Sequence, residues 1–309
     1  MWEKKGFIFR PDQQFSWNQS HAQLPLFDDC GNYWRVYFAT RDTQGRSNIS
    51  YLNLEPGKPQ NILYVHDQTI LDLGKLGTFD ESGIMPLSIV NKGQKKYLYY
   101  AGWTQRQTIP YHNSIGLAIS EDGGETYAKI GEGPIFDLLP DEPYFTGTIC
   151  VHERDNRWQA WYQSCTEWVE VGGKPEPKYH LKYAESEDGI HWKRPGKVAI
   201  DYLDEEEGGI CCASVLKSDQ YEMWFSHRKI SDYRDNKENS YRIGYASSVD
   251  GINWNREDSA AGIGVSREGW DSEMITYPCV FLAQGRRYMF YNGNGFGRSG
   301  FGFAEWIEP

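Results

Sequence analysis

Three glutamates in this sequence occupy the same place relative to the strands that follow them. They are Glu81 in FDESG (79–83), Glu207 in DEEEGG (204–209) and Glu273 in WDSEM (270–274). Each stands five residues before an equivalent residue of a short apolar strand, namely Pro86, Cys212 and Pro278. Two carboxyl groups on either side of a bound sugar can cleave a glycosidic bond. Carboxylates crowded in one pocket also raise the pKa of at least one member, as a general acid requires.

Further acidic residues accompany these three. Asp80 and Asp271 lie beside Glu81 and Glu273 in sequence, and we expect them in the same pocket. For Glu205 and Glu206 a solvated acidic loop is the favoured interpretation. The shared register favours the pocket for the three glutamates.

A fivefold repeat of aromatic strands must position these residues. The strands are VYFAT (36–40), LYYAG (98–102), AWYQS (160–164), MWFSH (223–227) and MFYNG (289–293). Their second residues, which we call the marker aromatics, are Tyr37, Tyr99, Trp161, Trp224 and Phe290, spaced by 62, 62, 63 and 66 residues. Self-similarity at a fixed period indicates a repeat architecture.

Each repeat contains four short strands, which is typical of a propeller blade. An apolar strand precedes the aromatic strand, another strand follows it, and three repeats then carry an S-x-D-G turn: SEDGGETY (120–127), SEDGIHW (186–192) and SVDGINW (248–254). The last repeat stops after FGFAEWIEP, and the N-terminal KKGFIFRP can supply its missing outer strand. We therefore predict an all-β fold, a five-bladed β-propeller with four-stranded antiparallel blades, forming one domain over residues 1–309. The N-terminal strand closes the last blade and removes its exposed edge.

Strand ends on one face of such a disc ring a central pocket, and they supply further candidate ligand contacts. These are His21, Arg41, Trp103, Glu167, His227, Arg228 and Asn292. Alternatives remain open: packing between blades for Trp103, a structural role for His227, and a scaffold ion pair for Arg41.

Composition limits the partners. The net charge is −11 and no basic run occurs, so we expect no nucleic-acid partner. No apolar run is long enough to span a membrane, and the N-terminus lacks the apolar core of a signal peptide, so we expect a cytoplasmic protein. The six cysteines show no C-x-x-C spacing and are predicted to be reduced. No cofactor and no metal are expected, with calcium at the acidic ring as the alternative. The oligomeric state stays open.

The repeat, the S-x-D-G turns and the acidic strand entrances resemble the five-bladed propeller glycosidases of glycoside hydrolase families 43 and 32 and the family 130 glycoside phosphorylases. SEDGGET also looks like the sialidase Asp-box, a structural turn. WDSEMITYP and YNGNGFGRSGFG are similar to strings in uncharacterised propeller proteins of bacterial surface-polysaccharide gene sets. Those hydrolases usually carry a catalytic aspartate at the start of blade one, where SWNQSHAQLP (16–25) has no carboxylate.

The resemblance implies a carbohydrate-active enzyme with a sugar or oligosaccharide substrate. Glu207 would be the proton donor, Glu81 or Asp80 the base, and Glu273 with Asp271 would hold sugar hydroxyls. A phosphorylase would instead use phosphate, held by Arg41, His227 or Arg228. A non-catalytic carbohydrate-binding propeller and a glycosyl or group transferase of polysaccharide assembly are the alternatives.

Overall fold

The computed structural model of the chain describes residues 1–308 and consists mainly of β-strands. The chain begins with β1 (Trp2–Phe9). Blade 1 comprises β2 (Ser20–Asp29), β3 (Trp34–Arg41), β4 (Ser47–Glu55) and β5 (Lys58–Val65). Blade 2 comprises β6 (Gly83–Lys92), β7 (Lys95–Gln105), β8 (Tyr111–Ser120) and β9 (Ala128–Lys129). Blade 3 comprises β10 (Thr146–Arg154), β11 (Arg157–Val171), β12 (Lys174–Ser186), β13 (Trp192–Lys193) and β14 (Val198–Ile200). Blade 4 comprises β15 (Glu207–Lys217), β16 (Tyr221–Lys229), β17 (Arg242–Ser248) and β18 (Asn255–Arg256), followed by a short 3-10 helix (Asp258–Ala261). Blade 5 comprises β19 (Thr276–Ala283), β20 (Arg286–Asn292), β21 (Phe301–Trp306) and the N-terminal β1.

The strands within each blade pair antiparallel in sequence order, and β1 completes blade 5 by pairing antiparallel with β21, with Trp2 opposite Trp306. The innermost strands β2, β6, β10, β15 and β19 each contact the next, and β19 contacts β2, so they form a closed ring. The predicted all-β propeller class and its closure by the N-terminal strand are confirmed. Residues 1–308 include no helix long and apolar enough to cross a membrane.

The hydrophobic core is divided into wedges between neighbouring blades. Separate clusters of buried side chains fill the spaces between blades 1 and 2, 2 and 3, 3 and 4, 4 and 5, and 5 and 1. All five marker aromatics are buried in β3, β7, β11, β16 and β20. The repeat of large aromatic residues is therefore the repeat of these wedges, because each blade needs bulky groups to fill the gap to its neighbour.

The three S-x-D-G turns tie neighbouring blades together. In the turn of blade 3, the Ser186 hydroxyl donates to Asp188 at 3.0 Å and accepts from the Gly189 amide at 2.9 Å. This conformation presents the Gly189 carbonyl to the Tyr99 hydroxyl of blade 2, at 2.8 Å. The turns of blades 2 and 4 accept in the same way from the marker aromatics Tyr37 and Trp161 of the preceding blades, at 3.0 and 2.8 Å. The motif is thus structural, and it connects the buried aromatic of one blade to the outer turn of the next.

Four buried carboxylates fasten the segment entering a blade to a cation near its outer edge. In blade 2, Asp80 accepts from Lys129 at 2.6 Å and from the Tyr100 hydroxyl at 3.1 Å, and the ammonium lies 5.8 Å from the ring centroid of Tyr100. We call such a set of carboxylate, aromatic ring and cation a blade staple. The others are Glu142 with Tyr162 and Arg194, Glu207 with Phe225 and Arg256, and Asp271 with Tyr291 and Lys4.

Blade 1 lacks a staple. The buried residue at the corresponding place is Asn18, 2% exposed, ahead of Phe38 on β3. A buried carboxylate requires a paired cation, whereas an amide is neutral. Blade 1 therefore has a neutral amide where the other four blades have the carboxylate of a staple.

The staples correct the interpretation of Asp80, Glu207 and Asp271 as pocket carboxylates. Each is directed into its own blade and is neutralised there. Glu207, 4% exposed, accepts two hydrogen bonds from Arg256, at 2.6 and 2.8 Å, and one from the Leu203 amide at 2.9 Å. Although burial opposes the charge, the hydrogen bonds of His227 and Arg256 prevail and lower the pKa of Glu207 to about 2.

Removing the hydroxyl that joins blades 2 and 3 tests the turn. We expect Tyr99→Phe to lower the free energy of unfolding by about 1 kcal/mol, because one buried hydrogen bond is lost while Gly189 keeps Trp192 as a donor, at 3.2 Å. Tyr97→Phe, a half-buried tyrosine on the same strand, is the control and should change little. Urea unfolding measures both, and equal losses in the two variants would contradict the role of the turn.

Neutralising Glu207 tests the staples. We expect Glu207→Gln to destabilise the fold by about 3 kcal/mol at neutral pH, the lower end for removing one partner of a buried ion pair, because Arg256 keeps Asp258 at 2.7 Å. The exposed neighbour Glu206 gives the matched control, and Glu206→Gln should stay within about 0.5 kcal/mol of the parent protein.

The same pair predicts a pH dependence. Because the pKa of Glu207 falls from 4.5 to about 2 on folding, its contribution is complete above pH 4.5 and is lost as the pH falls towards about 2. The gap in unfolding free energy between the parent protein and Glu207→Gln should therefore shrink over that interval. A gap that stays constant down to about pH 3 would show that Glu207 is not held ionised by its partners.

Candidate functional site

A cavity of about 540 Å³ opens on the face where the innermost strands begin. All five blades contribute to it: its residues are His21, Gln23, Leu24, Arg41, Met85, Trp103, Gln105, Arg106, Pro110, Tyr111, Asn113, Thr148, Gln163, Tyr179, Cys211, Cys212, Tyr233, Arg234, Tyr241, Tyr277 and Phe296. Aromatic rings, amides and three arginines dominate this lining. No aspartate or glutamate of the described chain belongs to it. The expected location of the pocket is thus observed, but the expected ring of carboxylates is absent from its walls.

Three predicted contact residues lie in the lining. The Arg41 guanidinium lies 5.3 Å from the ring centroid of Trp103 and donates to the Gln23 side chain at 3.3 Å. Trp103 donates its indole N–H to Ser47 at 2.8 Å, which fixes the ring. His21 is uncharged at neutral pH, because burial and the repulsion of Arg41 and Arg298 lower its pKa to about 4. Ligand binding by these three residues remains a prediction.

Four other predicted contacts lie outside the lining. Glu167 is exposed and faces Lys178 at 3.3 Å. His227 belongs to the Glu207 staple, with Nδ1 3.1 Å from the carboxylate. Asn292 is fully buried and joins blade 5 to blade 1, since its amide donates to the Ala22 carbonyl at 2.6 Å and accepts from the Leu24 amide at 2.9 Å. Arg228 lies behind the cavity wall.

The predicted acid–base residues are also outside the lining. Glu81 accepts from the Gly77 amide at 2.6 Å in its own loop, and Glu273 is exposed. Glu207 is held by Arg256 and His227 in its staple, and their hydrogen bonds lower the pKa of its carboxyl, which favours the ionised form over the proton-donating one. Glu207 thus lies outside the cavity lining, and its role as general acid stays a prediction.

Several residues of the cavity wall have a backbone conformation that residues other than glycine rarely adopt. His21, Leu24, Cys212 and Tyr277 all have positive φ, between 53° and 65°, on innermost strands. Strand pairing is irregular at these places. The Cys212 and Tyr277 amides instead donate to Thr148 and Ser226 hydroxyls, each at 2.8 Å. Such strain is typical of functional sites, where the surrounding structure enforces it.

Tyrosines form the wall between blades 3, 4 and 5. The hydroxyls of Tyr179 and Tyr241 hydrogen-bond to each other, and the Arg228 Nε donates to Tyr179 at 3.1 Å. The Arg228 guanidinium stacks on Tyr233 at 3.8 Å. Tyr233 in turn donates to Glu176 at 2.8 Å, and Glu176 pairs with Arg234.

Sequence reasoning missed this wall because it considered only strand ends next to the axis. Tyr233 and Arg234 come from the long loop between β16 and β17, and Tyr111 and Tyr179 from strands that rise to the same face. The available signal was the concentration of Tyr and Arg in SDYRDNKENSYR (231–242). All six cysteines are free, as predicted, and Cys211 and Cys212 lie in the lining. The described residues include no cluster of three or more His, Cys, Asp or Glu side chains placed to hold a metal ion.

Comparison with solved structures shows the same fold. BT0996, solved as an RGII complex, superimposes with a TM-score of 0.73 at 17% identity, covering 99% of this chain and 92% of that one. A thermostable family-43 glycoside hydrolase superimposes with a TM-score of 0.67 at 15% identity, covering 94% of this chain and 91% of that one. The Bombyx mori GH32 β-fructofuranosidase BmSUC1, in complex with sucrose, gives 0.60 at 13%, covering 93% and 61%. The suspected likeness to propeller glycoside hydrolases is thus confirmed for the fold.

Two proteins share a higher sequence identity with this chain than those solved structures do. No family model matches the chain. Two proteins of Mycobacterium tuberculosis, "Uncharacterized protein MT1551" of strain CDC 1551 / Oshkosh and "Uncharacterized protein Rv1502" of strain ATCC 25618 / H37Rv, are each 37% identical over 305 residues, 98% of both chains. Such identity over nearly the full length means that this chain belongs to the family of Rv1502 and MT1551.

Proposed function

We propose that this chain is a carbohydrate-binding propeller whose central cavity holds a sugar, and that it does not cleave glycosidic bonds with a carboxylate pair. The observation that carries the proposal is the composition of the lining, in which aromatic rings and amides surround the cavity and no carboxylate of residues 1–308 takes part. Aromatic faces stack on sugar rings, and amides both donate to and accept from hydroxyls. A volume of about 540 Å³ lies within the range of small-molecule sites.

The solved relatives in fold support a sugar as the ligand. Several carry glycoside hydrolase titles, one was solved with sucrose, and BT0996 in an RGII complex. Fold alone does not transmit an activity, so the argument for a sugar also needs the cavity itself. A cytoplasmic location is part of the proposal, and cell fractionation tests it.

Glycosidic-bond cleavage is the second candidate, and one observation favours it. Tyr233 lines the cavity and donates to Glu176 at 2.8 Å, an arrangement in which a carboxylate could take the proton of a tyrosine nucleophile. Sialidases are a class of glycosidase that uses tyrosine in this way. However, burial raises the pKa of Tyr233 to about 12, and Arg234 already occupies the carboxylate, so the resting pair favours binding over catalysis.

Ligand binding can be tested at an amide of the lining. We expect Asn113→Ala to weaken binding of a cavity sugar about 2- to 10-fold, because one hydrogen bond is lost. His112→Ala is the control, since the adjacent residue points to the other face of β8 and contacts Asp137 at 3.4 Å. Calorimetric titration with a panel of monosaccharides and nucleotide sugars measures both. Equal loss in the two variants would place the sugar elsewhere.

Catalysis can be tested on the same panel, extended with chromogenic glycosides. We expect no sugar release from the parent protein above the buffer rate. Turnover that disappears in Tyr233→Phe but persists in Tyr111→Phe, another tyrosine of the lining, would replace the binding proposal with a tyrosine-dependent glycosidase.

A further inference from the structure

The cavity is electropositive although the chain as a whole is acidic. The net charge of the sequence is −11. Three arginines, Arg41, Arg106 and Arg234, nevertheless belong to the lining, and no carboxylate of residues 1–308 does. Most of the buried acidic side chains are instead paired with cations in the blade staples. Arg234 is paired with Glu176, so Arg41 and Arg106 are the lining arginines that have no acidic partner within the described residues.

Arg41 is a half-buried arginine of the lining whose partners are incomplete. Within the described residues it has no Asp or Glu oxygen within 4.0 Å, and its hydrogen bonds go to the Gln23 side chain at 3.3 Å and the Gly45 carbonyl at 3.0 Å. The neighbouring carboxylate, Asp42, is used by Arg46 at 2.8 Å. Burial outweighs the attraction of Asp42 and lowers the pKa of the Arg41 guanidinium. Desolvated cations of this kind are stabilised by an anion in the site.

Arg228 adds positive charge behind the tyrosine wall. It is 2% exposed, and it donates to Tyr179 and to the Pro177 and Lys229 carbonyls without an acidic partner in the described chain. Arg35 is held by neutral groups in a similar way outside the lining, so a buried arginine alone does not identify a ligand site. Arg41 differs because its guanidinium has incomplete hydrogen bonding and lines a cavity.

We propose that the sugar bound in this cavity carries an oxyanion, a carboxylate or a phosphate, and that Arg41 binds it with Arg106 at the rim. The inference rests on the proposed sugar-binding function and names its ligand class, an acidic saccharide. A guanidinium offers a planar fork of donors that matches both oxyanions. Trp103 and Gln23, which contact Arg41, are placed to meet the sugar ring beside the anionic group, and the neutral His21 adds no competing charge.

The experiment compares four probes by calorimetric titration: glucose, glucuronate, glucose 1-phosphate and inorganic phosphate. We expect at least one of the two acidic sugars to bind more tightly than glucose, and the preferred one identifies the oxyanion. Arg41→Gln should weaken that binding about 10- to 100-fold and weaken glucose binding by a much smaller factor, because the charge-assisted hydrogen bonds are made only to the oxyanion. Arg41→Lys keeps the positive charge but loses the planar fork of donors. Its affinity for the acidic sugar should therefore lie between that of the parent protein and that of Arg41→Gln.

The matched control is Arg46→Gln, since Arg46 lies outside the lining and is paired with Asp42. Circular dichroism and thermal unfolding establish that each variant folds. If Arg41→Gln does not fold, Arg106→Gln takes its place. Because Arg106 is exposed, this change should weaken binding of the acidic sugar by a smaller factor and leave the core undisturbed.

The outcomes separate this inference from the proposed function. Glucose binding as tightly as both acidic sugars, or Arg41→Gln and Arg106→Gln both without effect on them, would overturn the inference and leave sugar binding intact. Inorganic phosphate binding as tightly as glucose 1-phosphate, with no affinity for either other sugar, would support the anion site and overturn sugar binding. Absence of binding by all four probes at millimolar concentration would overturn both.

Discussion

Closure of the ring by the N-terminal strand is the constraint on which the rest of the structure depends. β1 pairs with β21, so blade 5 consists of the two ends of the chain and the outer edge of β21 is covered. The same strand supplies Lys4 to Asp271, and Trp2 to the wedge between blades 4 and 5. Because every blade packs on two neighbours, the position of each innermost strand follows from this closure, and so does the shape of the central cavity.

The convergence of innermost strands at the axis determines what can line the site. Backbones crowded together there cannot all keep regular pairing, and the strands contain irregular steps with residues in left-handed conformations. The amides released by these steps are satisfied by hydroxyl and amide side chains such as Thr148, Ser226 and Asn292. Part of the polar character of the inner wall is therefore structural. The polar side chains available to a ligand are those that do not hydrogen-bond to these backbone amides.

The distribution of charge separates scaffold from site. Four carboxylates at the blade entrances are enclosed within the blades, where a cation neutralises each one. The cavity keeps arginines, tyrosines and amides. A pair of carboxylates facing the axis would be the equipment for glycoside hydrolysis, whereas the arrangement in this chain is the basis of the proposed binding of a sugar that bears negative charge.

The sequence by itself determined the architecture, and only the tertiary structure decided the site. The spacing of Tyr37, Tyr99, Trp161, Trp224 and Phe290 identifies the repeat because wedge packing requires a bulky residue once per blade. The missing strand of the last repeat likewise predicts closure by β1. The register that Glu81, Glu207 and Glu273 share in the sequence does not say towards which side a side chain turns, and the staples use Asp80 and Asp271 beside Glu207 instead. Glu207 turns into its blade because Arg256, 49 residues later in sequence, lies there to pair with it. The tyrosine wall could not be derived for the same reason: Tyr179 and Tyr241 meet only when blades 3 and 4 are brought side by side.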